Sequence, residues 1–209
     1  MEFLIVVAAI TGTVIGLVGR IPDPRKVKRE LASAKIQSID SLVDGKPAAV
    51  RGTVTLLEPT AFVVSPWTQQ RCVYWLLVFD EVGVAGDFHE LGRIDGGVSF
   101  LLHSDHGAAR VVPDRPRLAL PSQAFLRPIM HAQDLLKLAA GSKLKRHNYD
   151  TSFLRVTLYT LASGAFVTVK GWCTREPNPE ATDEVSGYRE QLPTRPVISG
   201  TRRAKLLIG

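Results

Sequence analysis

The side chains best spaced for chemistry are His103, Asp105 and His106, in the run His103-Ser104-Asp105-His106. Imidazole and carboxylate groups this close together can share one cation. A hydrolytic metal site needs further ligands, and no His-x-His or Glu-x-x-His pair stands elsewhere; His89, His131 and His147 are isolated. A polar hairpin turn is the reading these residues favour. Cys72 with His103 and Asp105 would supply a nucleophile, a base and an orienting acid. Cys72, however, opens a strongly apolar run, where burial raises a thiol's pKa and makes it inert. There is no Walker-type loop, no GxGxxG after a strand and no paired-carboxylate signature. The expectation is therefore no catalytic residue, no cofactor and no metal.

The two cysteines, Cys72 and Cys173, belong to no CxxC pair, which excludes a RING-like or ribbon-like zinc site built on thiolates. Two buried strand cysteines are expected rather than a disulfide. The 209-residue chain is 45% hydrophobic and 22% charged, the balance of an ordinary globular protein. Its formal charge of +6 and pI near 9.5 allow contact with anionic lipid or nucleic acid. A small β-barrel with Arg51, Lys170, Trp172, Trp67 and Trp75 near its strand ends would offer phosphate contacts and stacking surfaces. Most of those aromatics lie in apolar runs, where core packing explains them.

The N-terminus sets the location. Phe3 to Gly19 is a 17-residue run without charge, bounded by Glu2 and Arg20. At about 1.5 Å per residue it reaches roughly 25 Å, near the lower limit for a membrane span. A cleaved signal peptide would begin with Lys or Arg and end at a small-x-small site; here the start carries Glu2 and the exit reads Leu17-Val18-Gly19-Arg20-Ile21-Pro22. An uncleaved anchor over residues 1–20 is expected. Arg20, Arg25, Lys26, Lys28, Arg29 and Lys35 follow the run, which puts the N-terminus outside and the domain in the cytoplasm. Gly12 and Gly16 make a small-xxx-small pattern through which two helices could pack into a homo-oligomer.

Residues 21–38 form a basic juxtamembrane segment. Pro22 and Pro24 break the first helix, and Val27, Leu31, Ala34 and Ile36 then give a loose helical stripe among basic residues. Two readings stand: an amphipathic helix at the lipid surface, or a solvated spacer.

Residues 39–205 read as one β-rich domain, a β-barrel (OB-like) or a sandwich with one or two short helices. Asp44-Gly45 is a turn signal, followed by a Val- and Thr-rich strand over Ala48–Leu57. Ala61–Val64 is a short strand. Cys72–Phe79 is eight consecutive apolar residues and reads as a central strand. Gly83–Gly97 is glycine-rich and expected to be a flexible loop, the place where function would sit together with the membrane-facing surface. Val98–His103 and Ala108–Pro113 suggest a hairpin over Ser104–Gly107, and Arg117–Leu120 another short strand. Ile129–Ala140 has a helical pattern with Gly141 as its cap, then a basic patch at Lys143, Lys145, Arg146 and His147. Phe153–Leu161 and Ala165–Cys173 are expected to form a hairpin at Ser163-Gly164, and the chain after Pro177 is polar and irregular.

An internal echo runs through the domain. Gly45 and Gly52 recur as Gly164 and Gly171, each 119 residues on, with Val50-Arg51 answered by Val169-Lys170. The pattern suggests two turn-plus-strand units in which glycine permits a bend at a barrel corner.

The order Leu42-x-Asp44-Gly45-x-Pro47-x-x-Val50-Arg51-Gly52-x-Val54, then Cys72-Val73-Tyr74-Trp75, then Phe100-Leu101-Leu102-x-x-Asp105-x-Gly107-x-x-x-Val111 resembles the GIDE or BAM (beside-a-membrane) domain. Leu161, Gly164, Val167, Val169 and Gly171 look like that family's second strand block, and the resemblance runs from about Ile36 to Lys205. In mitochondrial and chloroplast outer-membrane ubiquitin ligases this domain is followed by a second membrane helix and a RING; many bacteria and archaea carry it alone. These 209 residues supply neither. The resemblance implies a stand-alone, prokaryote-like member in the plasma membrane, ubiquitin ligase-like in its domain but without ligase activity by itself. It implies an interaction or sensing module whose partners are the lipid bilayer and a protein not identifiable from sequence. Asp44, Gly45, Arg51, Gly52, Cys72, Tyr74, Asp105, Gly107, Gly164 and Gly171 then enter as structural motif positions.

Overall fold

The computed structural model describes residues 24–82, 88–128, 153–178, 194–201 and 204–209. Helix α1 spans Pro24–Ala32 and is followed by a 3-10 turn at Ile39–Ser41. The strands are β1 (Lys46–Leu56), β2 (Val63–Val64), β3 (Arg71–Cys72), β4 (Tyr74–Val82), β5 (Phe88–Gly97), β6 (Phe100–Ser104) and β7 (Gly107–Val112). They continue with β8 (Arg117–Leu118), β9 (Ser122–Pro128), β10 (Phe153–Leu161), β11 (Phe166–Pro177), β12 (Thr194–Ser199) and β13 (Leu207–Ile208).

The protein is mainly β, and its centre is a five-stranded barrel running β1-β6-β7-β12-β11 and closing through β11 onto β1. All these pairings are antiparallel except β7 with β12. Alternation decides which residues fill it. Ala48, Val50 and Val54 point inward from β1 and meet Val167, Val169 and Cys173 of β11, with Phe100, Leu102, Ala109, Val111 and Ile198 from the other strands.

Two long excursions from the barrel build a second sheet, ordered β5-β4-β10-β9. The β1–β6 connection contributes β4 and β5, and the β7–β11 connection contributes β9 and β10. Tyr74, Leu76, Val78 and Leu161 join the barrel's core, while Leu77, Phe79, Val156 and Leu158 on the opposite face are also buried. Burial on both faces is why Tyr74–Phe79 is a continuous apolar run instead of an alternating one.

The internal echo has a geometric basis. Val50 and Val169, equivalent in the echo, lie directly opposite each other in the β1–β11 pair. Gly45 N–H donates to Cys173 O at 3.0 Å and Gly164 N–H donates to Val54 O at 2.8 Å. These two bonds exchange when each residue is replaced by its counterpart, so the units face each other across a local two-fold. Gly45 and Gly164 have φ of +69° and +86°, the left-handed turn that favours glycine. A Cβ on Gly52 would stand 2.2 Å from His103 O, and one on Gly171 would stand 2.7 Å from Ser199 O. The second pair of glycines thus admits a neighbouring strand's backbone.

Several expectations are corrected. The glycine-rich stretch is not all loop: Phe88–Gly97 is β5, ten residues paired along β4 with an irregularity at Phe79/Asp80. Gly96 lies under the Trp75 ring, where a Cβ would come within 2.8 Å, so close cross-strand packing explains that glycine. Ser163-Gly164 does not close a hairpin; β10 belongs to the second sheet and β11 to the barrel, and the turn carries the chain between them. The polar tail beyond Pro177 contains β12, buried through Arg195–Ile198, and β13. Cys72–Phe79 is not one strand: the chain breaks at Val73, whose N–H bonds Leu161 O and whose O accepts from Val98. The Phe3–Gly19 span with Gly12, Gly16 and Arg20, and the Ile129–Ala140 helix with its basic patch, lie outside the described residues. Among the described residues no helix is long and apolar enough to cross a membrane.

Candidate functional site

The positions singled out for chemistry fall in two separate places. Cys72 sits on β3, opposite Val63 of β2, and its buried thiol donates to Val63 O at 3.7 Å. Burial pushes the thiol up to about 11, only partly offset by nearby backbone hydrogen bonds. It stays protonated and weakly nucleophilic at neutral pH. His103 stands on the exposed outer side of β6, across from Thr53 and Ala108. Asp105 and His106 occupy the hairpin tip, where His106 N–H donates to Ser104 Oγ at 3.2 Å and Gly107 has φ +105°. Ser104–Gly107 is a solvated turn, and His103 stands before it on β6. Among the described residues no group of three or more His, Cys, Asp or Glu side chains is placed to hold a metal ion. Cys173 points into the barrel as a second buried free thiol.

The remaining motif residues do structural work. Asp44 and Gly45 make the turn into β1. Tyr74 is buried between sheet and barrel and donates its O–H to Asp95 Oδ2 at 2.9 Å. Burial first, then the Asp95 carboxylate, raises the phenol well above its ordinary range. Arg51 points outward from β1 and is exposed; its Nε donates to Thr168 Oγ1 at 3.0 Å. The tryptophans do not assemble one stacking face. Trp75 packs over Gly96 in the second sheet, Trp172 lies beside Pro47 on the barrel, and Trp67 follows β2.

What the structure does gather is a cationic side of the barrel. In α1 the stripe Val27/Leu31, one turn apart, is buried against Leu207 and Ala119. Val27 and Leu31 are therefore committed to the domain and not offered to lipid, while Ala34 and Ile36 of the expected stripe lie beyond the helix and Ile36 is exposed. Pro24 suits a first helical turn and Arg29 in the last turn complements the helix dipole. Glu30 of the helix pairs with Lys170 of β11 at 3.3 Å. Arg25, Lys26, Lys28 and Arg29 remain on the exposed sides.

Two features went unnoticed in the sequence. Phe166, opposite Thr53 at the start of β11, is 70% exposed, the most exposed large apolar side chain among the described residues. Its signal is parity: it shares the outward set of the strand with Thr168 and Lys170, alternating with the inward Val167 and Val169. Arg155 donates to Asp80 Oδ2 at 3.0 and 2.8 Å and lies 3.4 Å over the Phe88 ring. Only pairing across β4 and β10 brings Asp80 and Arg155 together.

Comparisons with protein-family models, with curated proteins and with solved structures find no match for this chain.

Proposed function

We propose that the chain is a membrane-anchored, non-catalytic interaction or sensing module of the GIDE/BAM type, with an OB-like barrel held on the cytoplasmic side of the membrane. The observation that carries this reading is α1: a helix clamped to the barrel by its apolar stripe, basic on its exposed sides, directly following the uncharged Phe3–Gly19 run. Such a clamp ties the barrel to the segment of chain that follows the expected anchor. The OB-like reading rests on the strand order, in which the first three strands are sequential, the last two are exchanged, and the third runs parallel to the last. The motif glycines and Tyr74 are used for turns, close strand approach and packing, which suits a family signature that identifies a domain without supplying chemistry. These residues carry no RING zinc set, so no ligase activity belongs to them.

A second reading, a tethered nucleic-acid binder, is favoured by one observation: exposed Phe166 near Arg51 on the outer face of the barrel. A hydrolase built on Cys72 or the His103/Asp105/His106 turn fares poorly, because the thiol is buried and the turn is open to solvent. Crosslinking and pull-down from intact membranes tests the favoured reading. It expects a defined protein partner lost when the barrel surface is mutated, and protease protection of the domain in intact cells that ends on permeabilisation. Digestion of the domain from outside intact cells would contradict it. Salt-dependent binding of labelled oligonucleotide would support the second reading.

A further inference from the structure

Resting on the anchored reading, we propose that one side of the barrel is a lipid-docking face, made by the outer side of α1 with Lys28 and Arg29, by Arg51 on β1 and by Phe166 on β11. Its occupant is the headgroup region of an anionic bilayer. A chain of contacts links α1 to this side of β1 and β11. Leu31 of α1 reaches Gly209, where a Cβ would stand 2.8 Å from Leu31 Cδ1. Gly209 exchanges backbone hydrogen bonds with Thr168 at 2.6 and 3.0 Å. The Thr168 hydroxyl accepts from Arg51, and Phe166 lies two residues away on the same outward side of β11.

The chemistry is that of an interface. The single acidic residue of α1, Glu30, is engaged by Lys170, so the outer side of the helix presents cations. Phe166, 70% exposed, stands two residues from the Arg51–Thr168 contact on the outward side of β11, an arrangement that combines headgroup attraction with shallow aromatic insertion. The choice of a bilayer over another polyanion follows from chain order. The uncharged run Phe3–Gly19 ends five residues before α1 begins at Pro24. Surface attraction is screened within about 8 Å at physiological salt, so a face tied this closely to an apolar run is placed to use it.

The test uses the full chain in nanodiscs, with a photo-crosslinking benzophenone amino acid at position 166 and, as a control, at Val43, which is exposed elsewhere on the domain. In phosphatidylcholine with about 30% phosphatidylglycerol, position 166 is expected to form lipid adducts and position 43 not. Each basic residue contributes about fivefold to attraction by an anionic surface. The adduct should therefore fall by about tenfold or more in pure phosphatidylcholine, in half-molar salt, or in the Lys28→Glu/Arg29→Glu/Arg51→Glu variant. The salt arm needs no mutation and so is independent of any folding defect. Equal adducts in both lipids, or none, in a chain that resists carbonate extraction would overturn the docking face while leaving the anchor in place. Release of the chain by carbonate would instead refute the anchored reading. Crosslinking of position 166 to added oligo(dT) in preference to lipid would overturn the assignment in favour of a nucleic acid.

Discussion

Substituting Gly52 by alanine separates the two kinds of glycine in the internal echo. A Cβ at Gly52 would lie 2.2 Å from His103 O and 2.9 Å from His103 C, both backbone atoms of the adjoining barrel strand. No side-chain rotation relieves that contact, so β1 and β6 must move apart where Thr53 pairs with His103. Overpacking of this kind costs roughly 3 kcal/mol, at the upper end for an inserted methyl. At Gly45 the contrast is complete: nothing lies within 4 Å, and the cost is only that of holding alanine at φ +69°. That is about 1–2 kcal/mol. Gly171, where the nearest backbone atom, Ser199 O, is 2.7 Å away against 2.2 Å for His103 O at Gly52, should fall between. In thermal unfolding of the full chain followed by tryptophan fluorescence, Gly52→Ala should lower Tm by about 6–12 °C and Gly45→Ala by about 2–8 °C, the former always the larger. A Gly52→Ala variant as stable as Gly45→Ala would refute the close-approach reasoning and the barrel closure it depends on.

Three further outcomes follow from the packing and electrostatics. Cys72, with its thiol raised from 9.0 to about 11 by burial, should resist thiol reagents in the folded chain at pH 7–8 and react fully in denaturant. Because the folded value lies above the unfolded one, its contribution to stability is fully present below pH 9 and declines as pH rises toward 11; Cys72→Ala should flatten that decline in unfolding curves. Arg155→Ala leaves Asp80, 7% exposed, without its guanidinium and should destabilise by roughly 2–3 kcal/mol in urea unfolding, with Asp80→Asn added restoring part of the loss. Leu31→Ala removes half of the stripe that clamps α1 and should cost roughly 2 kcal/mol, read as faster hydrogen exchange confined to residues 24–32.

The strands of this fold were legible where a residue's local surroundings decide its state. Alternation in Ala48–Val54 and turn glycines at 45, 107 and 164 needed no partner to be recognised. The error at Ser163-Gly164 came from the same source: a turn signal reports a reversal of the chain, not which sheet receives the next strand. Gly92, Gly96 and Gly97 read as flexibility because glycine's entropy is local, whereas the Trp75 and Tyr74 rings that require two of them stand on another strand. Val27 and Leu31 announced an apolar stripe, but only the fold shows that Leu207, some 180 residues later, covers it. The candidate face was hidden for a related reason. Phe166 looks like an ordinary strand aromatic until the β1–β11 register places it outward beside Arg51.

Anchoring of the barrel through α1 is tested most directly by the fate of the N-terminus. Chain recovered from carbonate-washed membranes should have an intact mass retaining residues 1–20, with the barrel still attached and membrane-bound. A mature start near Arg20, or recovery of the chain in the carbonate supernatant, would contradict a barrel anchored through α1.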